Sequence, residues 1–223
     1  MSAQAVSQPV SGSRQSTPPR GRSSIRGLLV TSVLMTIVLM VGTGIIYPLV
    51  MTGLAQVFFN SQANGSLIKN AKGQIVGSSL IGQNFTKPQY FHPRLSAAGK
   101  GYDATSSGGT NLGPTIRVLL KSTIAQANLI RKENNLCLKP ACRPANYPLP
   151  ADAVSTSASG LDPDISPAYA ALQVPRVARA RGLSPSAVLA LVEEYTDGRT
   201  LGVLGEPRVH VLQLNIALDR SKR

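Results

Sequence analysis

The longest apolar run of the chain lies near its amino terminus, from Gly27 to Val50 (GLLVTSVLMTIVLMVGTGIIYPLV). This run has no charge and would be apolar on every face of a helix, which is unusual for a soluble core helix. It also exceeds the ~20 residues needed to cross a bilayer. A cleaved secretory signal is the alternative, but its apolar region is only ~7–15 residues long. The pattern therefore favours an uncleaved transmembrane helix, which with its extension occupies residues 27–59.

Proline and glycine modify this helix. Pro48 should kink it, because proline removes one intrahelical hydrogen bond and clashes with the carbonyl four residues earlier. Gly42, Gly44 and Gly53 leave small faces that allow another helix to approach closely. The alternative is simple tolerance of glycine in a membrane span. The first interpretation predicts that these three glycines pack against a partner helix.

Beyond residue 60 the apolar pattern breaks into short pieces separated by glycine and asparagine. Ser66–Ile68, Gln74–Val76 and Ser79–Ile81 have the pattern of short strands and turns. Residues 85–114 are rich in proline and glycine, which predicts a long loop. A helix is expected after Pro114, because apolar residues recur there at three- and four-residue spacing: Ile116, Leu119, Leu120, Ile124, Ala127 and Ile130.

Two serines that are each followed by proline mark helix starts nearer the carboxyl terminus. The pairs Ser166–Pro167 and Ser184–Pro185 place a capping hydroxyl before proline at the first helical position. They predict helices near 167–181 and 185–196. The last apolar run alternates, which suggests a strand although it is also compatible with a helix: Leu212, Leu214, Ile216 and Leu218. The predicted fold is a single amino-terminal transmembrane α-helix followed by a small α+β soluble domain of residues 60–223.

The charge balance is strongly basic, with 23 Lys and Arg against 10 Asp and Glu and a net charge of +13. Four of the arginines lie in residues 1–26, a tail of polar composition that should be disordered. More basic residues before the span than shortly after it favour a cytoplasmic amino terminus. The domain from residue 60 onward is then expected outside the cytoplasm. Since the tail serves as a topology signal and no stripe of interleaved aromatic and basic residues follows, we expect no nucleic-acid partner.

Two short motifs suggest enzyme chemistry. Ser66 and Lys69 match the S-x-x-K spacing of some serine acyl-transfer enzymes, so a membrane-anchored serine hydrolase is the alternative functional class. Their neighbours, however, predict a turn and a strand, whereas those enzymes place the serine at a helix start. Gly99–Ala104 matches G-x-G-x-x-A but lacks the preceding strand and following helix of a dinucleotide site. We therefore assign no catalytic residue; a self-standing periplasmic binding module is a third possibility.

Metal ligands are sparse in the sequence. His92 and His210 are isolated from each other and from acidic residues, so packing or surface roles are favoured over metal binding. Cys137 and Cys142 lie in a proline-containing segment, where they could form a disulfide in an oxidising compartment. A zinc site would need two more suitably spaced ligands. We predict no metal site.

A glycine-rich loop at residues 106–111 (SSGGTN) offers one further possibility. Consecutive backbone N–H groups in such a loop can form a nest for an anion or for carbonyls of another protein. The alternative, favoured on physical grounds, is a tight loop that uses glycine for positive φ.

Four long strings of the sequence resemble one family closely. They cover roughly Gly42 to Asp219: GTGIIYPLVMTGLAQVFFNSQANGSLI, GSSLIGQNFTKPQYFHPRLSAAGKGYDATSSGGTNLGPT, STSASGLDPDISPAYAALQVPRVARARGLS and LGVLGEPRVHVLQLNIALD. These strings resemble the C subunit of the Kdp potassium-transporting P-type ATPase. The first 26 residues and the segment around Cys137 and Cys142 depart from the usual pattern.

The resemblance implies a non-catalytic accessory subunit of an ATP-driven, high-affinity potassium uptake complex in the bacterial inner membrane. The implied partners are a potassium-selective subunit, an ATP-hydrolysing subunit and a small stabilising subunit. Family members are described as catalytic chaperones that raise the ATP affinity of the hydrolysing subunit, so ATP is a possible ligand and potassium the substrate of the complex. By resemblance alone, four residues could contact nucleotide: Ser107, Gly108, Gly109 and Gln173. Direct contact conflicts with an external domain, because ATP is cytoplasmic.

Overall fold

The computed structural model describes residues 24–70, 72–136 and 148–221. The chain divides into two compact units between Phe58 and Phe59. Most of the basic tail and both cysteines, Cys137 and Cys142, lie outside the described residues. The helices are α1 (Ile25–Val41), a π-helical segment (Gly42–Ile46), α2 (Tyr47–Phe58), α3 (Asn60–Ala63), α4 (Arg117–Glu133), α5 (Ala151–Val154), α6 (Pro167–Arg181), α7 (Pro185–Glu194) and α8 (Val211–Arg220). The strands are β1 (Leu67–Lys69), β2 (Ile75–Ser78), β3 (Asp164–Ile165), β4 (Thr196–Asp197) and β5 (Arg208–His210).

The first unit is one long apolar helix, as predicted. Helical structure runs without a break through the 34 residues from Ile25 to Phe58, and an 18-residue stretch of it has a mean hydropathy of 2.3. The helix is therefore long and apolar enough to cross a membrane. The π-helical segment lies just before Pro48. Because Pro48 has no N–H to donate to the carbonyl of Gly44, a wider turn absorbs the interruption. The N–H of Tyr47 accordingly bonds to the carbonyl of Gly42, five residues earlier.

In the second unit, a short hairpin follows helix α3. Strands β1 and β2 pair antiparallel, with Leu67 opposite Ser78 and Ile68 opposite Gly77. Both strands fall close to their predicted positions. The third predicted piece, Ser79–Ile81, forms a turn and not a strand. The N–H groups beyond Ser79 explain the difference, because those of Leu80 and Ile81 bond locally to the Ser78 hydroxyl and carbonyl and the chain turns there.

Serine caps start α6 and α7 at the predicted places. The Ser166 hydroxyl accepts a hydrogen bond from the N–H of Tyr169 at 3.0 Å, and the Ser184 hydroxyl accepts one from the N–H of Ala187 at 3.2 Å. Each cap satisfies a helix-start N–H that has no intrahelical partner. Gly182 ends α6 in the left-handed conformation (φ 68°), which glycine adopts without steric cost.

The carboxyl-terminal run forms helix α8, so the suggested strand is wrong. Its apolar residues fit both the alternation of a strand and the spacing of a helix. Val211, Leu214 and Leu218 recur at three- and four-residue spacing on the buried face. The short strand β5 ends at His210, where it pairs with β3 and β4 on either side in a three-stranded antiparallel sheet. Packing of the helical face against the core decides between the two patterns.

The hydrophobic core lies among α6, α7, α8 and the three-stranded sheet. It includes the fully buried Val177, Val188, Val209 and Leu214. The predicted long loop of residues 85–114 also contributes to it, since Phe91 is 0% exposed. A loop residue at the centre of a core needs its backbone polar groups satisfied locally, and this requirement shapes the polar cluster described next.

Candidate functional site

Two buried amide side chains hold the loop segment Pro88–His92. The Gln173 Oε1 accepts a hydrogen bond from the His92 N–H at 2.8 Å, and its Nε2 donates to the His92 carbonyl at 3.1 Å. Asn215 bonds Phe91 in the same way, with distances of 2.8 and 3.0 Å. A side-chain amide carries the same donor and acceptor as a peptide group. Helices α6 and α8 therefore supply what neighbouring strands would supply in a sheet.

Arg176 on α6 holds the same segment by its carbonyls. Its Nη1 donates to the carbonyl oxygens of Pro88 (2.6 Å) and Tyr90 (3.0 Å). Its Nε donates to Asn134 Oδ1 at 3.1 Å, and its Nη2 donates to Gln173 Oε1 at 2.6 Å. Burial lowers the pKa of this guanidinium, and the four hydrogen bonds offset the loss of water around it.

Arg181 ties the segment to the end of α8. Its Nε donates to the Gln89 carbonyl at 2.7 Å, and its Nη1 donates to the Leu218 carbonyl at 2.8 Å. Its Nη2 forms an ion pair with Asp219 at 2.8 Å. The guanidinium also lies over the Tyr90 ring, 5.0 Å from its centroid. We call Gln173, Arg176, Arg181 and Asn215 the clamp residues, because together they fix the backbone of Pro88–His92.

His92 lies beside the clamp in a mixed electrostatic environment. Its Nδ1 is 3.4 Å from the Glu133 carboxylate, and its Nε2 is 3.4 Å from Arg176 Nη1. Burial lowers the pKa of His92, the positive charge of Arg176 lowers it further, and Glu133 opposes both. The imidazole is therefore held in its neutral form at neutral pH.

A polar cavity of 310 Å³ adjoins His92. Arg94 lines it and forms an ion pair with Asp162 at 2.9 Å, while the Arg94 Nε is buried without a hydrogen-bond partner among the described residues. The Tyr102 hydroxyl donates to the Arg94 carbonyl, and burial raises the pKa of this phenol, which keeps it protonated. Asn84 and Gln126 add further polar groups. The lining suits a small polar molecule or ordered water.

His210 forms a second charged cluster on the three-stranded sheet. Its Nδ1 is 2.7 Å from Asp164 and its Nε2 is 2.8 Å from Asp197. A hydrogen bond from the His210 ring lowers the pKa of Asp197, whereas burial raises the pKa of Asp164. The carboxylates bond to different ring nitrogens and do not converge on one point. Within the described ranges, no three metal-binding side chains form a site.

The expectation that both histidines are isolated from acidic residues is therefore wrong. Asp164 stands directly opposite His210 in the β3–β5 pairing, and cross-strand neighbours lie in contact. Glu133 reaches His92 from the end of α4, forty-one residues further along the chain. Neither pairing leaves a signal in the local sequence, because each depends on the tertiary fold.

The predicted nucleotide residues occupy two different surroundings. In the Ser107–Gly109 loop, the Ser107 hydroxyl and the Gly108 N–H both donate to the Ser159 carbonyl at 2.9 Å. Gly108 and Gly109 do not have positive φ, so the expectation that this loop uses glycine for positive φ is wrong. Gly109 is needed because a Cβ there would lie 2.9 Å from the Ala158 carbonyl oxygen. Gln173 is a clamp residue, 1% exposed; whether any of the four contacts nucleotide stays a prediction.

The predicted helix-packing glycines lie on open faces of the first unit. Gly42 and Gly44 are in the π-helical segment and Gly53 is in α2. A Cβ built at any of them would meet nothing within 4 Å among the residues that the structure describes, apart from the helix itself. The faces are therefore free of crowding within the described chain, and packing against a partner helix stays a prediction.

Ser66 and Lys69 do not have the arrangement of a serine acyl-transfer enzyme. Ser66 lies between a turn and strand β1 with positive φ (49°), and Lys69 ends strand β1 at the surface. Those enzymes need the serine and the lysine one helical turn apart on a helix start. A strand places them differently, so the alternative hydrolase function gains no support here.

Sequence reasoning missed three of the four clamp residues: Arg176, Arg181 and Asn215. Each stands among apolar residues on the buried face of a helix. A charged or amide residue at such a position is rarely buried without a partner. That pattern marks a buried polar contact, although it does not identify the backbone segment that it binds.

Comparison with known proteins gives a consistent match. A family model described as "K+-transporting ATPase, c chain" matches residues 29–220. A relative from Koribacter versatilis is 52% identical over 194 residues, which cover 87% of this chain and 95% of the relative. One from Myxococcus xanthus is 54% identical over 184 residues (82% and 83%), and one from Mycobacterium tuberculosis is 52% identical over 196 residues (88% and 100%). All three relatives are named potassium-transporting ATPase KdpC subunit. The matched range of the family model includes all but the first four residues of the apolar helix and all four clamp residues.

Proposed function

Because the chain belongs to the family of the K+-transporting ATPase c chain, we propose that it is a non-catalytic accessory subunit of a high-affinity, ATP-driven potassium uptake complex. The observation that carries this proposal is the clamp. Its buried polar side chains bond to the backbone, to each other, to Asn134 or to Asp219. They hold the segment Pro88–His92 in one conformation and expose no reactive group. A surface held in one conformation lowers the entropic cost of docking to a partner protein.

The proposed partners are the potassium-selective subunit, the ATP-hydrolysing subunit and a small stabilising subunit of the same pump. Potassium is the substrate of the complex as a whole. The chain contributes to assembly by one membrane helix and by its second unit. In this proposal the potassium-selective subunit, and not this chain, handles the ion.

The proposed location is the bacterial inner membrane, with the amino terminus in the cytoplasm and the second unit outside it. Four arginines precede the span with no acidic residue among them, which supports this orientation. Reporter fusions at Asp219 test it. A reporter active only outside the cytoplasm should work and a cytoplasmic reporter should stay silent; the opposite pattern would reverse the orientation.

An external second unit acts on ATP affinity indirectly, through the partner subunits. The hydrogen bonds of Gln173 support this route, because both ends of its amide are already engaged with His92. A photoreactive ATP analogue added to the intact complex should label the hydrolysing subunit and leave this chain unlabelled. Labelling within Ser107–Gly109 would instead support direct contact.

The central experiment compares the pump with and without this chain. We expect the ATP concentration for half-maximal potassium-stimulated hydrolysis to rise when the chain is omitted, and to return when purified chain is added back. Equal half-saturation and equal maximal activity in both preparations would reject the accessory role. Failure of the tagged wild-type chain to co-purify with the pump subunits would reject it as well.

The membrane glycines give a separate test of assembly. Gly44→Leu adds a side chain where the described chain has open space, so the variant should fold normally. If a partner helix packs there, the larger side chain separates the two backbones and lowers the yield of complex in detergent. Ala171→Leu, at an exposed position of α6, is the control for added bulk. An unchanged yield for Gly44→Leu would remove the packing interpretation.

A further inference from the structure

Helix α4 exposes almost all of its apolar surface. Of its 17 residues, only Ile130 is buried. Leu120 is 62% exposed, Val118 60%, Leu129 52% and Ile124 51%. A helix of this length is marginal in water on its own, and contiguous exposed apolar surface marks an interaction site. The helix therefore presents a face that fits a partner.

Three bands run along the outer side of α4. Successive residues of an α-helix are turned by about 100°, which sorts the exposed residues by direction. The first apolar band consists of Ile116, Leu120 and Ile124. Beside it runs a basic band of Arg117, Lys121 and Lys132, with the neutral Asn128 on the same line. The second apolar band, on the far side of the basic band, consists of Val118 and Leu129.

The only acidic residue of α4 is Glu133 at its end, and its carboxylate is paired with His92. No acidic residue occurs from residue 104 to residue 132. Arg117, Lys121 and Lys132 form no ion pair within the described residues, in contrast to Arg199, which pairs with Glu206 at 2.8 Å. The band is therefore a row of uncompensated positive charge between two apolar surfaces.

We propose that the outer side of α4 docks into a groove on another subunit of the pump, a groove with apolar walls and a carboxylate-bearing floor. This proposal rests on the proposed function. Any surface that covers both apolar bands must also cover the basic band between them. Buried cations are costly unless they meet opposite charge and hydrogen-bond acceptors. The partner must therefore supply Asp or Glu along the line of Lys121.

The band order distinguishes this partner from a lipid surface. A helix that lies in a membrane interface has one contiguous apolar face and carries its basic residues on the opposite polar face. In α4 the basic band separates the apolar bands, so a bilayer would either bury Lys121 or leave Val118 and Leu129 in water. A protein groove can meet all three bands at once.

Photo-crosslinking in the intact pump tests the proposal. p-Benzoylphenylalanine replacing Asn128 leaves the three cations in place, and the same residue replacing Leu189 is the control. Leu189 is also an exposed helical residue, 41% exposed on α7. We expect position 128 to cross-link to another pump subunit, at a peptide that contains Asp or Glu, and position 189 to give no such product.

Charge reversal adds a quantitative readout. Lys121→Glu should lower retention of the chain in the purified complex by about ten-fold or more, as expected when one member of a desolvated charge pair is lost. Lys72→Glu, at the exposed turn of the β1–β2 hairpin, should leave retention unchanged. Both residues are exposed, so thermal unfolding of the free chain should be the same in both variants.

The outcomes separate this proposal from the proposed function. If wild-type chain co-purifies with the pump but position 128 cross-links to lipid, to a second copy, to residues 137–147 of its own chain or to nothing, docking by α4 is rejected and the accessory role stands. Normal retention of Lys121→Glu also rejects it. If wild-type chain does not co-purify at all, both proposals fall.

Discussion

Helices α4 and α6 are similar in length, with 17 and 15 residues, yet they are used in opposite ways. Helix α6 buries nine residues, including two arginines and a glutamine, whereas α4 buries only Ile130. Arg176 and Arg181 of α6 bond to the backbone of the loop, whereas most of the basic residues of α4 point outward. The same residue types therefore build the fold in one helix and form a surface in the other.

The largest expected effect is loss of the buried guanidinium. Arg176→Met leaves the carbonyls of Pro88 and Tyr90 and the Asn134 amide without their donor. Leaving several buried acceptors unpaired, at about 1–3 kcal/mol each, should cost about 3 kcal/mol or more of unfolding free energy in total. Arg179→Met, on the exposed side of the same helix, should change it by less than about 0.5 kcal/mol. Thermal unfolding of the full chain in detergent measures both, and similar losses would contradict the division between buried and exposed arginines.

The same leucine-to-alanine substitution, made once in each helix, compares the two helices directly. Leu172 on α6 is 6% exposed and Leu120 on α4 is 62% exposed. Leu172→Ala leaves a cavity in the core and should destabilise the chain by about 2–4 kcal/mol. Leu120→Ala should change stability by less than about 0.5 kcal/mol. Calorimetry of the two variants checks this, and a large loss for Leu120→Ala would mean that α4 is packed within its own chain.

An asparagine pair tests the amide clamp. Asn215→Leu removes the donor and the acceptor that satisfy the Phe91 backbone, and the two unpaired groups should cost about 1–3 kcal/mol. Asn128→Leu, on the outer side of α4, is the matched control and should cost little. Faster amide exchange at Phe91 in Asn215→Leu alone is the specific readout. Equal exchange in both variants would show that the clamp does not fix this segment.

The smallest expected effect is a change with pH. Burial and the charge of Arg176 lower the pKa of His92 below its ordinary value of 6.5. As the pH falls below 6.5, the unfolded chain takes up the proton first, so this residue contributes a loss of stability toward acid and none above that value. His92→Gln should therefore flatten the acid side of the stability curve. An equally steep fall in the variant would assign the pH dependence to other groups.

The sequence predicted most elements of the fold but only part of the site. The serine–proline pairs and the uncharged run located α6, α7 and the long apolar helix, because caps and hydrophobic length are local properties. The choice between strand and helix at Leu212–Leu218 was wrong, since both periods fit and tertiary packing decided. The clamp was missed because it joins Gln173 to His92 and Asn215 to Phe91 across 81 and 124 positions. Such contacts have no short-range pattern.

Amide hydrogen exchange, measured on the free chain in detergent and on the same chain in the assembled pump, tests the contrast between the two helices most directly. Exchange reports local opening of backbone hydrogen bonds. We expect α6 and the segment Pro88–His92 to be protected equally in both states, because the clamp forms within this chain. We expect α4 to gain protection on assembly. Unchanged exchange in α4, together with new protection of α6 on assembly, would contradict the assignment of α6 to the fold and α4 to the partner.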